Sequence, residues 1–353
     1  MLTIHARNVN SALPEALYHL RWQGQPIRVR GHDTIEAPDP VMTVYERPLE
    51  RVLFDEVRDA NPWLHFFEAL WILAGRDDVQ WPAQFARRLL DYSDDGLRFH
   101  AAYGHRLRVA HGDQLAKAIM LLREESASRR AVLSIWDAAR DLGTESKDLP
   151  CNTTAFLKVR TGALHLTVCN RSNDAIWGLY GANAVQFSML QEYLAAHLGV
   201  AVGTYRHLSD SLHVYCDNPY WQTVQRQKRT APIDSYASAT VRPFPLVDHA
   251  ASWDEELKRF LADPMDELGD MFPKRDYWRN RLFPLVAQPL YAAWQAHKAG
   301  HGGAALAATC AATDWRLAAM QWLARRGDTF HERNGKKRPA ARVRRGTAAA
   351  ASR

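Results

Sequence analysis

The chain of 353 residues has no run of 18 apolar residues, roughly the length that a helix needs to cross a bilayer. It also lacks the continuous apolar segment of a secretion signal, because Pro14 and polar residues interrupt its beginning. It has four cysteines, none in the C-x-x-C spacing of metal ligands. We therefore expect a cytoplasmic protein with reduced cysteines, no membrane contact and no bound metal.

Acidic residues are absent from the last part of the chain. Between Arg333 and Arg353 there are eight basic residues and no acidic ones. Removing these eight charges from the net charge of +6 leaves −2 for residues 1–332, so the body is almost neutral. This distribution argues against a nucleic-acid-binding surface spread over the fold and leaves only the tail for such contacts. The composition of residues 331–353 predicts disorder.

No segment rich in Pro, Gly or Ser separates domains before the late 290s, and no repeat is evident. The apolar fraction of 47% is enough for a large buried core. Hydrophobic periodicity predicts strands and loops up to residue 60 and a mixture of helices and strands beyond it. The predicted helices are 66–73 (after the Asn61-Pro62 cap), 113–125, 183–197, 285–298 and 304–326, and the predicted strands are 131–136, 154–160, 163–168 and 210–215.

The stretch from Leu149 to Asn183 holds the residues most suited to chemistry. A hairpin turning at Thr161-Gly162 would bring Cys151 close to Arg171, and a neighbouring cation lowers the pKa of a thiol. A lone cysteine is more often a small buried apolar residue than a nucleophile. The polar Pro-Cys-Asn-Thr context and the downstream arginine favour the nucleophile for Cys151.

A carboxylate stands inside the predicted aromatic helix. Glu68 lies in the sequence Phe-Phe-Glu-Ala-Leu-Trp, where a charged side chain is costly unless it is paired or acts as an acid. The alternative is a solvated glutamate at the edge of the helix. Both interpretations remain open on the residues alone.

Four motifs in a fixed order resemble the thymidylate synthase superfamily over roughly residues 61–215. They are Pro150-Cys151, Arg171-Ser-x-Asp174, the glycine turn ending at Asn183, and His213-x-Tyr215. Within the superfamily, Cys-Asn-Thr and Arg-Ser-Asn-Asp are more similar to the pyrimidine nucleotide 5-hydroxymethylase branch. The resemblance implies an α/β (α+β) fold with a mixed sheet and packed helices over residues 1–250. A helical extension would follow over 251–330 and the disordered basic tail over 331–353.

The resemblance also implies covalent catalysis on a pyrimidine nucleoside monophosphate. Cys151 would add to carbon 6 of the ring, which makes carbon 5 nucleophilic toward 5,10-methylenetetrahydrofolate. Glu68 would handle protons through ordered water, and Tyr103 would lie near the reacting ring. Asp174 would contact the folate.

The remaining roles concern the substrate. Arg171 and Ser172 would bind its phosphate, together with Arg129 and Arg130 from the sister subunit of a homodimer. His213 and Tyr215 would bind the sugar. Each of these residues also has an ordinary structural interpretation, since paired arginines are usually solvated and a strand histidine is usually only hydrogen-bonded.

The base would be recognised by Asn183, whose amide can pair with uracil. The deoxycytidylate hydroxymethylases carry Asp at this position, so the asparagine favours dUMP. The turn that ends at Asn183 is one residue longer than in either group, and a flipped amide would accept cytosine, so dCMP and CMP stay open. A methyl product, as in thymidylate synthases, is the alternative to the hydroxymethyl product. A catalytically silent scaffold is disfavoured because the cysteine and its arginine are both present.

Overall fold

Two mixed β-sheets form the framework of the computed structural model, which describes residues 1–226, 234–265 and 277–329. Strands in the described part are β1 (Leu2–Ala6), β2 (Gln25–Val29), β3 (His32–Glu36), β4 (Val41–Tyr45), β5 (Val132–Ser134), β6 (Asn152–Arg160), β7 (Ala163–Asn170), β8 (Asn173–Asp174), β9 (Ala201–Ser209) and β10 (Leu212–Tyr215). The larger sheet has the order β1-β4-β9-β7-β6-β5 and the smaller one β2-β3-β10-β8. Each combines parallel and antiparallel pairs, which confirms the predicted α/β class with mixed sheets.

Helices pack on these sheets. They are α1 (Val9–Gln23), α2 (Pro62–Leu73), α3 (Gln80–Ala83), α4 (Tyr103–Arg108), α5 (Gln114–Glu124), α6 (Ala138–Asp141), α7 (Ala184–Leu198), α8 (Pro219–Arg226), α9 (Ala250–Ala262), α10 (Gln288–Lys298), α11 (Ala304–Ala307) and α12 (Thr313–Arg325). A 3-10 helix spans Arg87–Tyr92, and π-helices span Ala175–Asn183 and Phe283–Ala287. No helix in the described ranges is long and apolar enough to cross a membrane.

The hairpin of β6 and β7 places the central residues side by side. Thr161 and Gly162 both adopt positive φ (49° and 75°), the geometry of a tight turn that matches the twist of the strands. The antiparallel register ends with Asn152 opposite Asn170. One step further, the Arg171 backbone N–H donates to the Cys151 carbonyl at 2.9 Å. The predicted hairpin and its consequence for Cys151 and Arg171 are confirmed.

Helix α2 begins as its sequence predicts. The Asn61 side chain accepts a hydrogen bond from the Leu64 N–H at 3.1 Å, and Pro62 occupies the first turn. Gly75, with φ of 72°, follows its last turn. The helix is almost wholly buried and packs against α7, which brings Glu68 close to Gln186.

The prediction of only strands and loops before residue 60 was wrong at α1. Pro14 lies inside this helix, where it removes one backbone hydrogen bond. An Asn8–Ser11 capping box and a buried face that includes Val9, Leu13 and Leu17 outweigh that loss. The predicted strands in this region are present as β2 and β4.

The C-terminal helices pack against the back of α2. The Trp63 ring lies 5.5 Å from the Trp294 ring and 5.2 Å from the Trp322 ring, centroid to centroid. These aromatic residues therefore pack with one another. The single helix predicted over 304–326 is instead α11 and α12, separated where the Ala311 N–H donates to the Leu285 carbonyl at 2.8 Å. The division into domains stays a prediction, and the basic tail lies outside the described residues.

Candidate active site

Arg171 is held against the start of β6 by backbone carbonyls. Its Nε donates to the Pro150 carbonyl at 2.9 Å, and its Nη2 donates to the Leu149 carbonyl at 3.2 Å. The same Nη2 lies 3.9 Å from the Cys151 Sγ. The guanidinium is thus fixed beside the sulfur by contacts that do not depend on a ligand.

The expectation of a lowered thiol pKa was wrong in its net direction. Burial raises the pKa of Cys151, and this effect exceeds the opposing effect of the Arg171 charge. Asp148 raises the thiol pKa further, whereas Arg30 lowers it. The sequence shows the neighbouring cation but not the depth at which the sulfur lies, and burial penalises the thiolate.

A cavity of about 170 Å³ lies between α2, α4 and α7. Glu68, Tyr103, Asp148, Asn183 and Gln186 supply its polar lining. Apolar residues close the remainder, among them Trp71, Ile72, Leu89, Tyr92 and Phe99. The structure therefore brings Glu68, Tyr103 and Asn183 together, as the sequence predicted.

Glu68 is an acid shifted into the neutral range. Burial raises the pKa of its carboxyl to about 7, the Gln186 hydrogen bond opposes that shift, and the charge of Asp148 adds to it. Gln186 Nε2 donates to Glu68 Oε2 at 2.7 Å. A carboxyl with such a pKa can both give and accept a proton near neutral pH.

Tyr103 lies at the first turn of α4, next to Asn152. Both the backbone and the side chain of Asn152 hydrogen-bond to its hydroxyl. Burial is the main cause of the raised pKa of Tyr103, and the charge of Cys151 adds to it. The hydroxyl is therefore a neutral hydrogen-bonding group close to the sulfur.

Two cavity residues were missed from the sequence. The Ala101 N–H donates to Asp148 Oδ2 at 2.8 Å, and burial raises the pKa of this carboxyl. Gln186 Oε1 is buried and has no hydrogen-bond partner in the described part of the chain. Asp148 lies three residues before Cys151, and Gln186 lies one helical turn after Asn183. This short spacing from two predicted site residues is the sequence signal that could have identified them.

Asn183 ends the π-helix and is 6% exposed. Its Nδ2 donates to Asn173 Oδ1 at 3.3 Å, and its Oδ1 faces Asn152 Nδ2 at 3.5 Å. A π-helix places more residues in each turn than an α-helix does. The longer turn noted in the sequence is therefore taken up within the π-helix.

An exposed tryptophan lies between two arginines on one side of the site. The Cζ atoms of Arg58 and Arg88 lie 4.1 and 4.3 Å from the Trp177 ring centroid. Nη1 and Nη2 of Arg58 are buried and lack a hydrogen-bond partner in the described ranges, and burial lowers the pKa of Arg58 to about 10. Asp174 caps the π-helix next to them by accepting from the Ile176 and Trp177 N–H groups. Arg58, Arg88 and Trp177 were also missed from the sequence.

His213 and Tyr215 share one face of β10, as predicted. Their rings lie 5.4 Å apart at an angle of 85°. Strand β10 pairs with β8 so that His213 stands opposite Asp174. Arg30, at the turn between β2 and β3, acts electrostatically on both Tyr215 and Cys151 and was not singled out from the sequence.

The candidate phosphate ligands do not all meet within one chain. Ser172 lies beside Arg171, and its N–H donates to Asn170 Oδ1 at 3.0 Å. Arg129 and Arg130 are exposed at the entrance to β5, where Arg130 pairs with Glu125 at 2.9 Å. Within the described residues neither arginine has a recorded contact with Cys151 or Arg171, so a shared role stays a prediction.

The family model for thymidylate synthase matches residues 59–263, which is more than half of the chain and includes most of the site described above. The chain belongs to the thymidylate synthase family. Membership of this family confirms the resemblance based on the motifs and implies a folate-type one-carbon donor.

Three of the similar curated proteins are phage enzymes. A deoxyuridylate hydroxymethyltransferase of Pseudomonas phage M6 is 44% identical over 95% of this chain and 97% of its own length. The enzyme of the same name from Bacillus phage SP01 is 39% identical over 56% of this chain and 54% of its own. That of Delftia phage PhiW-14 is 33% identical over 48% and 50%.

The raised pKa of Glu68 predicts a pH-dependent stability. The folded protein holds a proton on this carboxyl up to about pH 7, whereas the unfolded chain releases it near pH 4.5. The stabilisation that the protonated Glu68 provides is therefore complete below the pKa of this residue in the unfolded chain. It is lost as the pH rises through its pKa in the folded protein. Relative to wild type, Glu68→Gln should gain about 3 kcal/mol in free energy of unfolding between pH 4.5 and pH 8.

Urea unfolding of both proteins across this pH range measures the effect. Gln at this position keeps an acceptor for the Gln186 amide, so the hydrogen bond survives while the titration does not. The exposed Glu56→Gln variant is the matched control and should follow wild type. Parallel stability curves for Glu68→Gln and wild type would contradict the shift.

Proposed function

We propose that this protein transfers a hydroxymethyl group to carbon 5 of dUMP, with 5,10-methylenetetrahydrofolate as the one-carbon donor. The observation that carries the proposal is the likeness to the phage M6 enzyme named deoxyuridylate hydroxymethyltransferase, which extends over nearly the full length of both chains. The geometry of the candidate site supports it, because every step of this reaction finds a suitable side chain there.

Cys151 is the nucleophile in this proposal. Its sulfur adds to carbon 6 of the uracil ring, and the ring electrons shift to make carbon 5 nucleophilic. Burial disfavours the thiolate, so the Arg171 guanidinium at 3.9 Å has the role of offsetting part of that penalty. Arg171 and Ser172 also bind the phosphate, with His213 and Tyr215 on the sugar.

The residues around Trp177 fit a folate. Its glutamate carboxylates suit the guanidiniums of Arg58 and Arg88, which lie against the Trp177 ring. Asp174 lies on the same side of the site, at the start of the π-helix that carries Trp177. When bound, methylenetetrahydrofolate supplies a carbon unit at the oxidation level of formaldehyde.

The polar cavity supplies the water that distinguishes hydroxymethylation from methylation. Its lining contains the carboxyl groups of Glu68 and Asp148 and the unpaired carbonyl oxygen of Gln186. Carbon 5 would bond to the one-carbon unit and lose its hydrogen as a proton, and the bond from that unit to the folate nitrogen would break, so that tetrahydrofolate leaves and an exocyclic methylene remains on carbon 5. The oxygen of a water held in the cavity would bond to this methylene carbon, and its proton would pass to a cavity carboxylate. The bond between Cys151 and carbon 6 would then break, its electron pair would return to the sulfur, and the double bond between carbons 5 and 6 would be restored.

The active unit in this proposal is a homodimer with shared sites. Arg129 and Arg130 are exposed on the chain that carries them, and two neighbouring guanidiniums suit a phosphate dianion. A two-fold axis would bring this pair to the phosphate bound by the partner chain.

The product test decides between the proposal and its alternatives. The protein is incubated with methylenetetrahydrofolate and each of dUMP, dCMP, UMP and CMP, and product masses are measured. We expect 5-hydroxymethyl-dUMP, which is heavier than the methyl product by one oxygen atom. A methylated product would make the protein a thymidylate synthase, and faster turnover of a cytosine nucleotide would make dUMP the wrong base.

Replacing the nucleophile should stop the reaction before carbon 5 becomes reactive. Cys151→Ser is expected to abolish turnover and the release of tritium from carbon 5, while dUMP still binds through Arg171 and the sugar contacts. Cys169→Ser is the matched control, since this cysteine lies on β7 and has no role in the proposed reaction. Undiminished tritium release from the Cys151→Ser protein would end the covalent mechanism.

Mixed dimers test the shared site. Cys151→Ser and Arg130→Ala are each expected to be inactive, and random subunit exchange between them should restore about one quarter of wild-type activity, through one complete site in each heterodimer. Cys151→Ser mixed with Arg171→Ala should restore none, because both changes affect the same chain's contribution. Equal results from the two mixtures, with exchange demonstrated, would contradict a shared site.

The proposed role of the cavity in water addition can be tested separately by substituting Asp148. Asp148→Leu replaces a polar lining group with an apolar one of similar size, and should reduce hydroxymethyl product formation at least tenfold more than it reduces tritium release. Asp148→Asn keeps an oxygen for the Ala101 N–H and should reduce product formation less. Equal loss of both signals in Asp148→Leu would show that the residue has no specific role in water addition.

A further inference from the structure

Four asparagine side chains form a continuous hydrogen-bonded chain through the base of the site. Asn170 Nδ2 donates to Asn152 Oδ1 at 2.8 Å, and Asn152 Nδ2 faces Asn183 Oδ1 at 3.5 Å, the longest link. Asn183 Nδ2 then donates to Asn173 Oδ1 at 3.3 Å. All four residues are buried, with exposures of 0 to 6%. We call this set the amide chain.

The direction of the amide chain is fixed at one end by the backbone. The Ser172 N–H, which can only donate, bonds to Asn170 Oδ1 at 3.0 Å. Asn170 must therefore present its Nδ2 to Asn152, and each following amide must present its oxygen to the previous residue and its nitrogen to the next. A backbone N–H cannot exchange donor and acceptor ends as a side-chain amide can.

The other end closes on a neutral histidine. Asn173 Nδ2 lies 3.1 Å from His207 Nε2 and 3.3 Å from Ser209 Oγ. Burial lowers the pKa of His207 to about 3, so the ring is neutral and carries one hydrogen. With Nε2 accepting from Asn173, that hydrogen lies on Nδ1, 2.5 Å from the Tyr205 hydroxyl. Each link of the line thus joins one donor to one acceptor.

We propose that the amide chain holds Asn183 with its Oδ1 and one Nδ2 hydrogen turned to the base, and that this orientation selects uracil over cytosine. The inference rests on the proposed function and deepens it by naming what orients Asn183. Asn183 lines the cavity, and after its two contacts within the chain it keeps one lone pair and one hydrogen. Uracil offers an N–H at ring position 3 and a carbonyl at position 4, which match this pair. Cytosine offers the reverse.

Reversal of Asn183 for cytosine is opposed on both sides. Its oxygen would then meet Asn173 Oδ1, and its nitrogen would meet Asn152 Nδ2, so two buried contacts would join like ends. Reversing the neighbours as well moves the conflict to Ser172, whose N–H would face the nitrogen of Asn170. An isolated asparagine could turn its amide over and pair with either base. The fixed donor and acceptor order of the amide chain removes this freedom from Asn183.

Close packing supports the link between Asn173 and Asn183. A Cβ atom on Gly178 would lie 2.7 Å from Asn173 Oδ1, closer than side-chain atoms approach, and 3.8 Å from Asn183 Nδ2. Glycine at this position of the π-helix is what allows the two amides to meet.

The test compares substitutions that keep or remove the acceptor at position 173. Asn173→Leu removes it, and the ratio of kcat/KM for dCMP to that for dUMP should rise at least tenfold, since one of the two contacts that oppose reversal of Asn183 is then lost. Asn173→Asp keeps an oxygen toward Asn183, and His207 can shift its hydrogen to Nε2, so uracil preference should persist. Asn183→Asp should move the preference toward cytosine nucleotides by acting on the base directly.

The ratio of kcat/KM for dCMP to that for dUMP separates a change in the orientation of Asn183 from a general loss of activity. A destabilised fold lowers kcat/KM for both nucleotides and leaves their ratio unchanged. Thermal unfolding identifies variants that do not fold, and Asn173→Ser is the smaller replacement if Asn173→Leu is one of them. A dCMP to dUMP ratio within twofold of wild type in the folded Leu or Ser variant would overturn the role of the amide chain. So would a wild-type preference for dCMP.

Competition binding in the Cys151→Ser background keeps this test separate from the proposed function. There dUMP and dCMP compete without turnover, and wild-type position 173 should favour dUMP while Asn173→Leu should lose that preference. This result would support the amide chain even if the wild-type product carried a methyl instead of a hydroxymethyl group. Equal binding of both nucleotides to the protein with Asn173 would contradict the orienting role of the amide chain. It would not contradict the proposed reaction at carbon 5.

Discussion

The hydrogen bond from the Arg171 N–H to the Cys151 carbonyl, at 2.9 Å, is the constraint on which the site depends. It continues the pairing of β6 with β7 past the last residues of the strands. It therefore sets the sulfur beside a guanidinium and leaves Asn152 opposite Asn170 at the buried end of the hairpin. The positions of the proposed nucleophile, the proposed phosphate ligand and the first two members of the amide chain all follow from one register.

Burial then determines the protonation of the site. The pKa values of Cys151, Asp148 and Glu68 are all raised, mainly because the charged forms lose solvation. Burial thus opposes the charged form of each of these acids, while three arginines, at positions 30, 58 and 171, bring positive charge toward the site. Positive charge there suits the proposed substrate and cofactor, which are both anions.

Sequence reasoning succeeded where local patterns decide structure. The Asn61-Pro62 cap, the Thr161-Gly162 turn and the alternation of His213 and Tyr215 each fix geometry over a few residues, and each was predicted correctly. It failed where long-range packing decides. The sequence does not show how deeply Cys151 lies, so the predicted direction of its pKa shift was wrong. Helix α1, which contains Pro14 and is stabilised by burial of one face, was not predicted.

Asn183, the residue proposed to recognise the base, shows how the local helix type can compensate for a change in the length of a turn. One extra residue in the turn before Asn183 would move its side chain by about 100° in an α-helix, away from the cavity. The π-helix Ala175–Asn183 takes up this residue, and α7 follows without a break. Asn183 then meets Asn173 and Asn152, two residues that the motifs Arg-Ser-Asn-Asp and Cys-Asn-Thr contain. The π-helix and these two asparagines therefore belong to one arrangement, in which the helix positions the amide and, in our proposal, its neighbours orient it.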